Sequence, residues 1–234
     1  MNNIFVFGDS FSAGHGVRYT PYLQMIGSDK SADEIAFIER IAKELNLNLI
    51  NFAKGGISNT AILKSFYENY HSIQSGDVVL VQSTFWNRLT FTHRDTQKEY
   101  HSTGPNSIDE RLKDDHYKKI CDEYIVLYHS REISMIDTFI VYPLIVDLCK
   151  AKGAKVFFWS LDEISDECYN RFESLIKDKF LLPPVAEKYV SWFSPMVYEN
   201  KLRIMDEVEL NDLHLSVKGN DIFFNEMIKQ INEK

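Results

Sequence analysis

Ile4-Phe5-Val6-Phe7-Gly8-Asp9-Ser10 is an unbroken apolar run that ends in a glycine and two small polar residues. Four consecutive apolar residues leave neither face polar, so the run predicts a strand covered on both sides, as in a parallel sheet. Downstream, Ser31-Ala32-Asp33-Glu34 has the spacing of a capping box, and Ile35, Ile38, Ile41, Ala42 and Leu45 then fall on one helical face. Leu47–Phe52 predicts a second strand. Ser58 reads as the N-cap of a helix that carries Ala61, Ile62, Ser65 and Phe66. Asp77–Val81 predicts a third buried strand, and residues 109–152 predict two helices, the second stopping at Gly153, a usual C′ residue. Val156–Trp159 is a fourth strand and Val217–Ile231 a closing amphipathic helix. Strands alternating with helices predict an α/β fold, a parallel sheet with helices on both faces. The polar residues 88–108, and residues 181–199 with Pro183, Pro184 and Pro195, read as loops over a site. No repeat, low-complexity tract or linker interrupts the pattern, so one domain over residues 1–234 is expected.

The 234 residues carry 34 acidic against 26 basic side chains, a formal charge of −8. Phosphate binding relies on clustered Lys and Arg, and no local basic patch is present, so no nucleic-acid partner is expected. Apolar residues make up 44%, which excludes a disordered chain. A chain of this length buries enough surface to hold a core without metal or disulfides. Cys121, Cys149 and Cys168 are widely spaced and form no CxxC, so they read as buried small hydrophobes in a reducing compartment. The N-terminal apolar run is shorter than the ~7–15 residues of a secretory signal core, and nothing approaches the ~20 of a membrane span. A cytoplasmic protein with no membrane span is the expectation.

Gly8-Asp9-Ser10 stands at the carboxyl end of the first strand, where ligands bind in open α/β sheets. Neither GxGxxG nor GxxxxGK[ST] is present, so Gly8, Gly14 and Gly16 do not make a phosphate cradle. An aspartyl nucleophile at Asp9 lacks the second acidic residue two positions on, where Phe11 stands. Ser10 as a nucleophile has an N–H placed to help hold an oxyanion, although the G-x-S-x-G elbow is absent. Asp9 and Ser10 as simple helix caps remain the alternative. Asn211-Asp212-Leu213-His214-Leu215-Ser216 shifts the balance, because a serine needs a base and a base needs a third group to fix its tautomer. The other histidines, His15, His71, His93, His101, His116 and His129, read as solvated surface. Aromatics reach 13%, and Tyr100, Tyr117, Tyr189, Trp192, Phe193 and Tyr198 gather in and beside the long loops. Such rings serve cores more often than sugar stacking, but the latter suits a glycan substrate.

Ser10 and His214 together resemble the two ends of the SGNH (GDSL-type) hydrolase family. The likeness is most specific in Phe5–Gly14, where the family carries its nucleophilic serine. It continues in Asn51-Phe52-Ala53-Lys54-Gly55-Gly56-Ile57-Ser58-Asn59, similar to the glycine block whose backbone N–H joins the oxyanion hole, and closes with Asp212–Ser216 and Gly219. The resemblance implies a flavodoxin-like three-layer α/β/α sandwich acting on esters, commonly of acylated glycans or lipids, with no cofactor. It implies Ser10 as nucleophile, His214 as base, Asp212 as orienting carboxylate, and an oxyanion hole from Ser10 and Gly56. Two departures stand out. The family's Gly-x-Asn-Asp block is replaced by Gln82-Ser83-Thr84-Phe85-Trp86-Asn87-Arg88, leaving Thr84 or Asn87 as the third oxyanion donor. The family's carboxylate lies three before the histidine, where this chain has Asn211; Asp212 must curl back to reach Nδ1, or Asn211 holds the ring. The expectation is a serine esterase acting on a small-molecule or glycan ester, short acyl groups first. The alternatives are an O-acyltransferase, with a sugar hydroxyl in place of water, and a non-catalytic binding or structural module. The oligomeric state is open.

Overall fold

The computed structural model describes residues 1–102, 115–128, 130–160, 179 and 199–234. Cys168, His129, residues 109–114, the proline-bearing residues 181–198 with Tyr189, Trp192, Phe193 and Tyr198, and the Tyr117 side chain lie outside the described residues. The strands are β1 (Asn3–Phe7), β2 (Asn48–Asn51), β3 (Val78–Ser83), β4 (Leu89–Thr92), β5 (Glu99–Ser102) and β6 (Lys155–Ser160). The helices are α1 (His15–Tyr19), α2 (Tyr22–Met25), α3 (Ala32–Ile35), α4 (Phe37–Glu44), α5 (Asn59–Asn69), α6 (Asp115–Tyr128), α7 (Arg131–Lys152) and α8 (Val217–Glu233).

Four strands form one sheet in the order β2-β1-β3-β6, and every pairing in it is parallel. The apolar runs read as two-sided strands are two-sided. Ile4 and Val6 of β1, Leu80 of β3, and Phe157 and Trp159 of β6 pack against Phe37, Ile38 and Ile41 of α4 and Phe223, Met227 and Ile231 of α8. Phe5 and Phe7, Val79 and Val81, and Val156 and Phe158 point the other way, onto Ile62 and Phe66 of α5 and Tyr142, Ile145 and Cys149 of α7. The period-2 alternation of strand side chains thus builds two cores from three strands, and the layers are α/β/α.

Two expectations are corrected. The helix predicted from Ser31 onward is two helices. Ser31 and Glu34 do form the capping box, but the backbone turns extended at Ala36. The freed N–H of Phe37 donates to Asn220 Oδ1 of α8 at 3.1 Å, so a side chain from the last helix caps α4. The polar residues 88–108 are also not loop throughout, for β4 and β5 pair as an antiparallel hairpin. Phe91 and Tyr100 of that hairpin pack on Cys121 of α6, which gives Tyr100 a packing role. Among the described residues no helix is long and apolar enough to cross a membrane.

Candidate active site

The carboxyl end of β1 runs into a tight turn that Asp9 organises. Asp9 is fully buried. Its Oδ1 accepts from the Phe11 N–H at 2.9 Å and from Gln82 Nε2 at 2.6 Å, and its Oδ2 accepts from Thr84 Oγ1 at 2.6 Å and Arg88 Nη1 at 2.7 Å. Gln82, near the end of the neighbouring β3, completes the clamp: its Oε1 accepts from the Ser12 hydroxyl at 2.6 Å. A buried carboxylate is tolerable only with such partners, and Arg88 supplies the countercharge. Ser10, next to it, is also buried; its carbonyl accepts from the His15 N–H at 2.9 Å, which closes the turn. No described hydrogen bond takes the N–H of Ser10 or of Gly56, which lies at φ 78° in the turn after β2.

His214 reaches this turn from the far end of the chain. Its segment is held in place by pairing with residues 203–205: the Ile204 N–H donates to the His214 carbonyl and the Met205 N–H to that of Asp212, both at 2.9 Å. The imidazole then packs 5.0 Å, centroid to centroid, from the ring of Phe11, the residue after Ser10. Gly16 makes that approach possible, since a Cβ there would lie 2.7 Å from His214 Cβ and 2.6 Å from Ile204 Cδ1. Asp212 does curl back: its Oδ1 lies 2.6 Å from His214 Nδ1 and also accepts the His214 backbone N–H at 2.8 Å. Burial works to raise the Asp212 carboxyl, but these two bonds and the histidine charge outweigh it and hold the group below its ordinary range. Asn211 is exposed and makes no described contact with the ring.

Among the residues named for the oxyanion, Thr84 is corrected. Its hydroxyl proton goes to Asp9 and its backbone N–H to Asn59 Oδ1 at 2.7 Å, so neither is left to donate elsewhere. Asn87 is half-buried in the turn that the Arg88 N–H closes onto the Phe85 carbonyl at 3.1 Å, and no described contact joins it to Ser10 or His214. Three residues went unread in the sequence. Gln82 and Arg88 were visible only as the segment replacing the family's asparagine block. His15, which reads as solvated surface in the sequence, is half-buried with its ring centroid 5.4 Å from that of His214. The cleft beside it is lined by Phe11, Gly16, Val17, Leu215 and Asn220 as well as the two histidines.

No family model matches the sequence, and no curated protein does. Solved structures do. Over 100% of this chain and 69% of the other, it is similar at 15% identity and TM-score 0.47 to a carbohydrate esterase whose active site displays divergent catalytic and non-catalytic binding functions. Over 99% of this chain it is similar to protein YxiM of Bacillus subtilis, at 14% identity and TM-score 0.46, and spans 56% of that chain. A candidate SGNH hydrolase from Slackia heliotrinireducens is similar over 98% of both chains, at 13% identity and TM-score 0.43.

Proposed function

We propose that this chain is a serine esterase. Ser10 Oγ attacks the ester carbonyl while His214 takes its proton; the tetrahedral intermediate collapses, and the alcohol leaves with that proton. Water then attacks the acyl-serine, His214 again taking and returning a proton, and the free acid departs from Ser10. The observation that carries this reading is the 2.6 Å contact from Asp212 Oδ1 to His214 Nδ1. It commits Nδ1, leaves Nε2 as the nitrogen that exchanges protons, and sets a carboxylate where an imidazolium forms. The Ser10 and Gly56 N–H groups, unclaimed by described hydrogen bonds, are assigned to the oxyanion. The buried Asp9 clamp keeps the nucleophile turn rigid.

One observation favours the non-catalytic module: both Thr84 donors are committed, so of the two side chains named for the third oxyanion donor only the Asn87 amide is left. A missing donor slows acyl transfer by about 10²–10³-fold, which still leaves a measurable enzyme. The test is hydrolysis of p-nitrophenyl acetate with fluorophosphonate labelling. Wild type is expected to turn over and to carry the label on the peptide containing Ser10, and Ser10→Ala to do neither. Wild type no faster than Ser10→Ala, and unlabelled, would establish the binding module instead. Product analysis with an added sugar acceptor separates esterase from acyltransferase.

A further inference from the structure

His15 borders the proposed reaction centre, and the mechanism above gives it no task. One edge of its imidazole faces the glycine turn, where a Cβ on Gly55 would lie 3.1 Å from Nε2. The His214 ring also lies beside it, 5.4 Å away between centroids. Gly55 precedes the glycine assigned to the oxyanion, and His214 is the group that hands a proton to the departing alcohol. A side chain spanning those two points flanks the carbonyl oxygen and the alcohol oxygen of the ester, with the acyl chain, the third substituent, on the remaining side. The backbone N–H of His15 donates to the Ser10 carbonyl at 2.9 Å, which fixes the His15 Cα relative to the nucleophile. Burial and the charge on His214 hold the His15 imidazole below its ordinary pKa, against the opposing pull of Asp212 and Asp9. Above pH 6.5 the ring is therefore neutral, with one nitrogen donating and the other accepting.

We propose that His15 is a specificity-determining residue that hydrogen-bonds a hydroxyl on the alcohol half of the ester, next to the scissile oxygen, and so selects esters of polyhydroxy alcohols over those of simple alcohols. The proposal rests on the Ser10–His214 reading. No bond is made or broken at His15; it binds and orients.

The experiment reads how the acyl-enzyme formed from p-nitrophenyl acetate partitions between water and an added alcohol, which occupies the place the leaving alcohol vacates. Wild type is expected to transfer to methyl glucoside about ten-fold more readily than to propanol, the worth of one good hydrogen bond. His15→Phe, which keeps a ring of similar size, is expected to lose that preference, and His15→Gln, with an amide, to retain part of it. The initial release of p-nitrophenolate reports acylation separately, and release equally fast from Ser10→Ala condemns the serine mechanism rather than this proposal. A residue acting only as a spacer lowers that release and leaves the partition ratio alone. Equal ratios in wild type and His15→Phe would therefore overturn the proposal. So would an unperturbed His15 ring resonance when Ser10→Ala protein, which needs no turnover, is titrated with methyl glucoside.

Discussion

A carboxylate two residues before a histidine points, on an extended chain, to the same side as the ring but away from Nδ1. Asp212 overcomes this because the chain turns: one oxygen accepts both the backbone N–H and the ring of His214. The proposed mechanism then makes unequal demands on the two neighbours. Asp212→Asn is expected to lower kcat by about 10³–10⁴-fold, through loss of the charge and disturbance of the tautomer. Asn211→Ala, an exposed change, is expected to leave kcat unaltered. Steady-state rates on p-nitrophenyl acetate check both, and a silent Asp212→Asn would reduce the site to a Ser10–His214 dyad. Arg88 carries a second prediction at this scale. It is the countercharge for a carboxylate with no exposure, so Arg88→Ala leaves that charge buried with only neutral donors. A loss of about 3–5 kcal/mol in urea unfolding is expected, and Asp9→Asn combined with Arg88→Met is expected to recover part of it.

The elements that bring the site together are short and held by long-range caps. Ser216 caps α8 by accepting the Gly219 N–H at 3.0 Å, and the Tyr22 hydroxyl accepts the Val217 N–H at 2.9 Å while donating to Glu207. Asn220, one turn into α8, caps α4 through its Oδ1 and donates from Nδ2 to the Ser216 carbonyl at 2.9 Å. The His214 segment is thus moored to α2, α4 and α8 at once. Its contact with α1 is close, where Gly16 meets His214 Cβ and Ile204 Cδ1. The Gly16 backbone does not require a glycine conformation, so Gly16→Ala tests the approach and not the turn. The added methyl is expected to displace His214 and lower kcat by about 10²-fold, the usual effect of a misplacement near 1 Å. Overpacking is expected to cost about 1–3 kcal/mol beside it. Unchanged kcat would mean that His214 does not work from this position.

Across the whole molecule, the two perturbed site groups act on stability in the same direction. His15 has a folded pKa below its ordinary 6.5, so between the two values the unfolded chain binds more protons. Its contribution is present above 6.5 and is lost as pH falls toward the folded value. Asp212 behaves alike at lower pH: its contribution is present above 3.8 and is lost on falling toward its depressed folded value. Urea unfolding across pH is expected to show stability declining through both windows. His15→Gln is expected to flatten the upper window relative to wild type and leave the lower one. An upper window unchanged by that substitution would mean that the ring is solvated after all.

How much of this was readable without coordinates follows from where each residue's partners lie. The strands Asn3–Phe7, Val78–Ser83 and Lys155–Ser160 were legible because burial on both faces leaves an unbroken apolar run, a local signature. Ser58, Gly153 and the Ser31–Glu34 box were legible because caps are read within a few residues. The hairpin of β4 and β5 was missed, since its half-buried strands alternate Leu89 and Phe91 with threonines over too few positions to stand out from loop. The Ser10, Asp212 and His214 chemistry was legible in short motifs and the family resemblance they carry, but neither the curl of Asp212 nor the commitment of Thr84 to Asp9 and Asn59 is written in the motifs. His15 shows the limit best. Its immediate neighbours in the chain are Gly14 and Gly16, and the groups it meets, Gly55 and His214, come from distant segments. Local sequence determines which segments become strands, helices and caps, because those choices are settled by near neighbours. Which polar side chains meet, and so which keep a free proton for chemistry, is decided only when the parallel sheet sets the ends of β1, β2 and β3 side by side and α8 closes over them.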